Sequence, residues 1–459
     1  MQSVTENKMA VRPVGSLIIS MGLPIMISMM VQALYNVVDS IFIAQVSEKA
    51  LTSVSLAFPI QMLIISIGVG TAIGVNSLLS RRLGAQRVEE ASNVALNGIF
   101  LALVISVVFA IFGFIISKPF FRWFTADQEI IQMGQSYLTI VTVFSLGVFV
   151  QLICERIMQG TGNTISPMLT QATGAIINIV LDPILIFGWF GLPAMGTAGA
   201  ALATVIGQWS AMILAFFTML RKTKELNFNF KNFKADKRII GDIYKVGFPS
   251  IIMQSIGSVM TVGMNTILIS FSATAVAVFG IYFKLQSFIF MPVFGLVSAL
   301  ISIVAFNYGA RNKKRIVDSI RVAIFIAFAV MVGGTLTFQL APRFLLRMFN
   351  ASDQLMEVGV LALRIISFHF PFAAIGIILS SSFQAIGKGV YSLYMSLVRQ
   401  LVVLLPSAYL LSMLWGLNAT WYSFLFSELV SITMSIILFS KIYKTKIKNL
   451  VPLSSAVEG

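Results

Sequence analysis

Thirty consecutive residues from Val14 to Ile43 carry one charged side chain, Asp39, and eleven comparable apolar runs follow. A membrane-crossing helix needs about 20 mainly apolar residues, because in hydrocarbon every backbone N–H and C=O must be satisfied inside the segment. The runs lie near 14–43, 51–80, 91–117, 130–159, 164–190, 194–220, 241–271, 275–306, 319–341, 354–386, 389–415 and 418–443. Several exceed the hydrocarbon thickness, so tilt, kinks or protrusion into water are expected. Only 11% of residues are charged, against about 25% in soluble chains, too few to cover a water-facing surface. The reading is an all-α integral membrane protein of twelve transmembrane helices. The polar lead with Lys8 and Arg12 lacks a small-residue cleavage site, so the first helix is expected to be retained.

The formal charge of +15 belongs to the loops. Arg81, Arg82 and Arg87 follow the second run, Arg221, Lys222, Lys224, Lys231, Lys234, Lys237 and Arg238 the sixth, and Arg311, Lys313, Lys314 and Arg315 the eighth; Lys441, Lys444, Lys446 and Lys448 end the chain. The alternate connections hold few bases: Lys49, Lys118, Arg122, Arg343 and Arg347. By the positive-inside rule both termini are cytoplasmic, and the basic charge is topogenic rather than a nucleic-acid surface. One cysteine, Cys154, excludes an intramolecular disulfide framework, and a single histidine leaves little for zinc or haem. No P-loop is present. No enzyme activity and no cofactor are expected.

The chain repeats itself at an offset of 225. Gly22 and Pro24 fall on Gly247 and Pro249, Phe58 and Gln61 on Phe283 and Gln286, and Gly84-Ala85 on Gly309-Ala310. Gln159 and Gly162 fall on Gln384 and Gly387, and Gly191-Leu192 on Gly416-Leu417. Six spans per copy, an even number, make the copies parallel, with a pseudo-twofold axis along the membrane normal as in two-lobed transporters. The expected organisation is an N-terminal tail 1–13, a six-helix lobe 14–220, a basic loop 221–240, a second six-helix lobe 241–443 and a tail 444–459.

Within this apolar frame a few polar side chains stand out. A carboxylate costs roughly 2.5–3.5 kcal/mol at a bilayer centre on insertion scales. Gln32, Tyr35, Asn36 and Asp39 share one helix face at spacings of three and four. Asn178 lies one turn before Asp182, and Pro183 cannot donate to the carbonyl of Ile179. Carboxylate, amide oxygen and freed carbonyl suit Na+ or a proton. At the repeat offset Asp39 and Asp182 correspond to Met264 and Ser407 (Leu405 if Pro183 and Pro406 are aligned), so the acidic pair belongs to one lobe. The competing readings are a solvated helix end for Asp39 and a structural hydrogen bond for Asp182. Lys284, Gln286, Phe290 and Arg399 are candidate cavity residues in the second lobe. His369, ahead of Pro371, is a further cavity candidate, as a proton relay or as a hydrogen-bonded structural histidine. An interfacial Glu155–Arg156 pair is also expected; for Glu428 a buried base is one partner open to it, and its role stays open.

Taken together these residues resemble the multidrug and toxic compound extrusion (MATE) family. The resemblance rests on Pro24 and Pro249, Asp39, Leu181-Asp182-Pro183, Gln159-Gly160-Thr161-Gly162-Asn163 with its echo Gln384-Ala385-Ile386-Gly387-Lys388, and Phe306-Asn307-Tyr308-Gly309-Ala310. It covers nearly the whole chain. It implies export of organic, amphipathic small molecules in antiport with H+ or Na+, by alternating access, from a monomer in a bacterial plasma membrane, surrounded by lipid. It further implies that Asp39, Asn178 and Asp182 form the coupling site, with Thr197 or Thr204 contributing, and that Pro24, Pro183 and Pro249 act as hinges. Past Asp242 at its very start the seventh span, like the eighth, has no acid of the kind another branch uses, and Lys284 stands there instead. The alternative within the wider superfamily is a flippase for lipid-linked precursors or polysaccharide.

Overall fold

The structure, a computed structural model, describes residues 7–231, 233–349 and 351–451; the outer parts of the expected tails, 1–6 and 452–459, lie outside the described residues. Among the described residues, ten helices are long and apolar enough to cross a membrane, and two bent helix pairs meet the same test together. Counting each pair once gives twelve spans. They are α1 (Val14–Val46), α2 (Glu48–Gly84), α3 (Val88–Phe124), α4 (Gln128–Val143 with Leu146–Gly160), α5 (Ile165–Phe187) and α6 (Gly196–Lys222). Then follow α7 (Lys237–Ile269), α8 (Ala273–Gly309), α9 (Lys313–Leu340), α10 (Asp353–Ser367 with Phe370–Ala385), α11 (Gly389–Trp415) and α12 (Leu417–Ile447). The helices α2, α3 and α8 have 37 residues each. That is roughly 55 Å of helix at 1.5 Å per residue, against a hydrocarbon core of ~30 Å, so their ends reach beyond the lipid tails.

The duplication extends to the backbone. Three pairs of left-handed residues are spaced at the repeat offset: Gln86 and Arg311 (φ 60° and 57°), Gly162 and Gly387 (98° and 79°), and Gly191 and Gly416 (82° and 76°). Around the first two pairs the helix end closes identically, by Asn163 N–H to the Met158 carbonyl at 2.9 Å and Lys388 N–H to Phe383 at 2.7 Å, and by Arg87 N–H to Arg82 and Asn312 N–H to Asn307, both at 2.9 Å. This is the closure that a left-handed residue after a helix permits. Neither copy breaks at the prolines expected to act as hinges. Pro24, Pro183 and Pro249 all sit inside continuous helices. The breaks fall in α4 and α10, which bend by 43° and 47°.

The chain forms two compact units. One holds Asn7, Ile27–Leu83 and Arg87–Gly247; the other holds Lys8–Met26, Gly84–Gln86 and the chain from Phe248 onward. The division therefore cuts α1 and α7 within three residues of Pro24 and Pro249. In the second unit the lead segment is fastened by its carbonyls: Arg315 Nη2 donates to Met9 at 3.0 Å and to Arg12 at 2.7 Å, and Asn307 Nδ2 to Met9 at 3.3 Å.

In the first unit α5 and α6 touch backbone to backbone. A Cβ added to Gly207 would stand 2.7 Å from the Gly174 carbonyl, and one on Gly174 would stand 3.0 Å from that of Gly207. Small residues allow this approach where apolar burial gives no net drive between helices in lipid. Replacing Gly207 by valine is expected to lower the thermal unfolding midpoint in detergent by several degrees, from an overpacking cost of about 1–3 kcal/mol. An unchanged midpoint would mean that the two helices are not held at this distance.

Candidate ion and ligand site

The glycine contact sets the register of the polar residues beside it. Asn178, one turn beyond Gly174 on α5, meets Thr204 on α6: its Nδ2 donates to Thr204 Oγ1 and to Asp182 Oδ1, both at 3.3 Å. Thr197, the other threonine considered from the sequence, donates instead to the Met133 carbonyl of α4 at 3.2 Å. Asp182 and Asn178 are buried. Asp39 on α1 is half-buried and lies within Coulombic reach of Asp182, and Tyr35 within reach of both. Tyr137 of α4 joins the same electrostatic group, its hydroxyl accepting from Gln61 Nε2 at 2.6 Å.

Three oxygens at this place are enclosed without a hydrogen-bond partner: Asp39 Oδ1, Asn178 Oδ1 and Asp182 Oδ2. Buried acceptors are normally paired, and a buried carboxylate near a second one is strongly disfavoured as an anion. The donor set that would satisfy them is a proton or a hard monovalent cation, for which two carboxylates and neutral oxygens are fitting ligands. Among the described residues no group of three His, Cys, Asp or Glu side chains could hold a metal ion. A tightly bound transition metal has no cage here.

From this point a cavity of about 80 Å³ extends between α1, α4, α5 and α6, lined by Gln32, Tyr35, Val148, Gln151, Leu152, Gln171, Gly174, Ala175, Asn178, Thr204, Gly207 and Gln208. Gln32 and Tyr35 thus share a cavity with Asn178. Asn36 does not line it; it is exposed on α1, its carbonyl accepting from Ser40 Oγ at 2.8 Å. Next to the cavity Glu155 is buried and accepts from Gln151 at 3.0 Å, Thr170 at 2.9 Å and Gln171 at 3.1 Å. The expected Glu155–Arg156 ion pair is not formed, because consecutive helix residues point apart; Arg156 donates to Gln159 Oε1 at 3.0 Å. Sequence reasoning missed the glutamines. Their signal was polar residues at helical spacing in apolar spans: Gln151 and Glu155, Gln171 and Asn178, Thr204 and Gln208.

The second unit groups its candidates differently. His369 is buried at the break of α10, with Nδ1 2.7 Å from the Ile366 carbonyl and Phe290, Phe370 and Phe424 around its ring. Lys284 is exposed on α8, its Nζ 6.0 Å from the centre of the Phe349 ring, and Gln286 is half-buried. Arg399 pairs with Glu428 at 3.2 Å, so the buried Glu428 has a basic partner that is itself partly exposed.

The family model described as MatE matches residues 24–184 and 249–410. The two matched segments begin at Pro24 and Pro249, so the family unit recurs at the 225-residue offset of the repeat. The chain belongs to the MATE family. Members of this family are transporters and not enzymes. The MATE chain is 27% identical over 411 residues to the multidrug export protein MepA of Staphylococcus haemolyticus, covering 89% of each. It is 26% identical to an FAD transporter of Shewanella oneidensis, covering 88% of this chain and 90% of that one. Among solved structures, a MOP superfamily transporter from Pyrococcus furiosus, described as having a binding pocket of reverse polarity, superposes with a TM-score of 0.90 at 26% identity over 98% of this chain and 99% of that one. An outward-facing multidrug resistance MATE transporter gives 0.89 at 26% identity over 97% and 99%.

The Glu155 network carries a stability expectation. Glu155→Ala leaves three donors without their acceptor, at about 1–3 kcal/mol for each that stays unsatisfied. Glu155→Gln keeps an acceptor oxygen and is expected to cost less. Thermal unfolding of both variants in detergent checks the order; an alanine variant as stable as the wild type would remove the network from this account.

Proposed function

We propose that this MATE chain is a secondary active exporter of organic, amphipathic small molecules, driven by antiport of H+ or Na+. The observation that carries the reading is the unpartnered oxygen set of Asp39, Asn178 and Asp182 beside the cavity in the first unit. A cation held there cancels charge that the apolar surroundings tolerate poorly, and so favours one arrangement of α1 and α5 over another. Coupling then requires only that cation and cargo prefer different states or compete for one site. The names of the relatives, a multidrug export protein and an FAD transporter, support an organic cargo. Gln32 and Tyr35 are the proposed cargo-facing residues of the first unit's cavity; Asn36 on α1 and, separately in the second unit, Lys284, Gln286, Phe290, His369 and Arg399 are proposed to meet cargo during transport.

Alternating access moves the six-helix lobes 14–220 and 241–443, joined by 221–240, with Pro24, Pro183 and Pro249 as flexing points. Proline favours this because each leaves a carbonyl of the preceding turn without its helical donor. The tails 1–13 and 444–459 are placed in the cytoplasm by the basic loops, and the chain acts as a monomer in the plasma membrane of a bacterium.

The test is dye efflux from proteoliposomes under separately imposed Na+ and H+ gradients. One of the two gradients is expected to drive efflux, and Asp39→Asn and Asp182→Asn are each expected to reduce that efflux by about tenfold or more, the loss of one charged ligand. Full gradient-driven efflux in both variants would sink the mechanism.

A further inference from the structure

Two positions in and beside the first unit's neutral cavity carry charge in the second unit, and a third is the glycine against which that charge packs. Gln151, Gly174 and Ala203 stand 225 residues before Gly376, Arg399 and Glu428. Gln151 and Gly174 line the cavity of the first unit. In the second unit the corresponding positions meet as an ion pair. Arg399 Nη1 donates to Glu428 Oε2 at 3.2 Å, and Glu428 Oε1 lies against Gly376, where an added Cβ would stand 3.2 Å away.

This pair differs from a structural one in three ways. The Glu428 side chain is 3% exposed, but that of Arg399 is 29% exposed. Arg399 lies roughly 15 Å along α11 and Glu428 roughly 16 Å along α12, at 1.5 Å per residue, so both are near mid-span. An arginine at that depth is expected to face the interior of the helix bundle or water rather than lipid. Glu428 Oε1 is enclosed without a partner, and so is the hydroxyl of Tyr282, which lies within Coulombic reach of both members of the pair. A buried ion pair kept for stability closes its hydrogen bonds; this one leaves a carboxylate oxygen open and the Arg399 side chain partly exposed. Finally, Arg399 sits in a π-helical stretch, Val398–Leu404, that widens α11 ahead of Pro406, and such segments recur at binding sites. The charged and titratable groups facing the pair are Tyr282 from α8 and His369 from α10.

We propose that Arg399 receives an anionic group of the cargo, a carboxylate or phosphate, and that Glu428 is the resident carboxylate which this anion displaces. The guanidinium passes from one anion to another. The released Glu428 carboxylate takes up one proton from the bulk solution and becomes the neutral acid, so the charge of Arg399, Glu428 and the bound anion together stays zero. The inference rests on the exporter reading and deepens it by naming the cargo class as amphipathic compounds bearing an anion.

Binding without any gradient tests the site separately from transport. Rhodamine 110 carries a free carboxylate and rhodamine 123 is its methyl ester, so the pair isolates that one group. Fluorescence polarisation with the full chain in nanodiscs gives their affinities. The double variant Arg399→Gln/Glu428→Gln strands no charge; it is expected to weaken rhodamine 110 by about tenfold, the size of one charge-assisted hydrogen bond, and rhodamine 123 by less than about twofold. Glu428→Gln alone removes the competing carboxylate and is expected to tighten rhodamine 110 several-fold. Equal effects on acid and ester in both variants, or no tightening in Glu428→Gln, would overturn the proposal. Failure of efflux in Asp39→Asn or Asp182→Asn bears on the coupling mechanism alone.

Discussion

Two carboxylates share the apolar interior of one six-helix unit, and much of the molecule is arranged around their presence. Asp182 is buried, Asp39 lies within Coulombic reach of it, and each keeps an enclosed oxygen with no partner. Such an arrangement is a poor way to stabilise a fold, since unpaired buried acceptors cost free energy and like charges in low dielectric repel. It is a good way to hold a proton or a sodium ion that must later leave. The helix contact at Gly174 and Gly207 serves the same site. By bringing α5 against α6 it places Thr204 beside Asn178 and fixes the amide whose nitrogen holds Asp182 and whose oxygen is left open.

The duplication makes the asymmetry informative. Both halves close their helix ends with the same left-handed residues and bend their fourth span at the same place. On this common backbone one half carries an acidic pair and a neutral, glutamine-lined cavity, and the other carries an Arg399–Glu428 pair. Packing requirements alone would be met by the same side chains in both halves. Among the differences are the charged groups within the spans, Asp39 and Asp182 in one half and Arg399 and Glu428 in the other.

Much of this was legible in the sequence, for a physical reason. Lipid forbids irregular backbone and unpaired charge, so spans and intramembrane carboxylates announce themselves. Asp39, Asn178 and Asp182 were singled out on that ground, and the repeat offset exposed their absence from the second half. Other features depend on which helix faces meet, and no single-chain pattern encodes that. Thr197 and Thr204 lie seven residues apart on one face of α6, so spacing could not choose between them; their partners, Met133 and Asn178, do. The glutamines of α4, α5 and α6 converge only once those helices are packed. The bend of α4 at Phe144 and Ser145 has no proline to mark it. Glu155 and Arg156, adjacent in sequence and of opposite charge, invited pairing, but helix geometry sends them to different neighbours.

The central claim is that Asp39 and Asp182 together hold an exchangeable cation. Infrared difference spectroscopy of the protein in lipid reads this directly, because a protonated carboxylic acid in an apolar site has its own C=O stretch, distinct from that of a carboxylate. On stepping the pH, or on adding Na+ at constant ionic strength, the expected result is a change in that band in the wild type. The change should be lost or shifted in both Asp39→Asn and Asp182→Asn. A band that does not respond to either cation, or that persists unaltered in both variants, would contradict the claim.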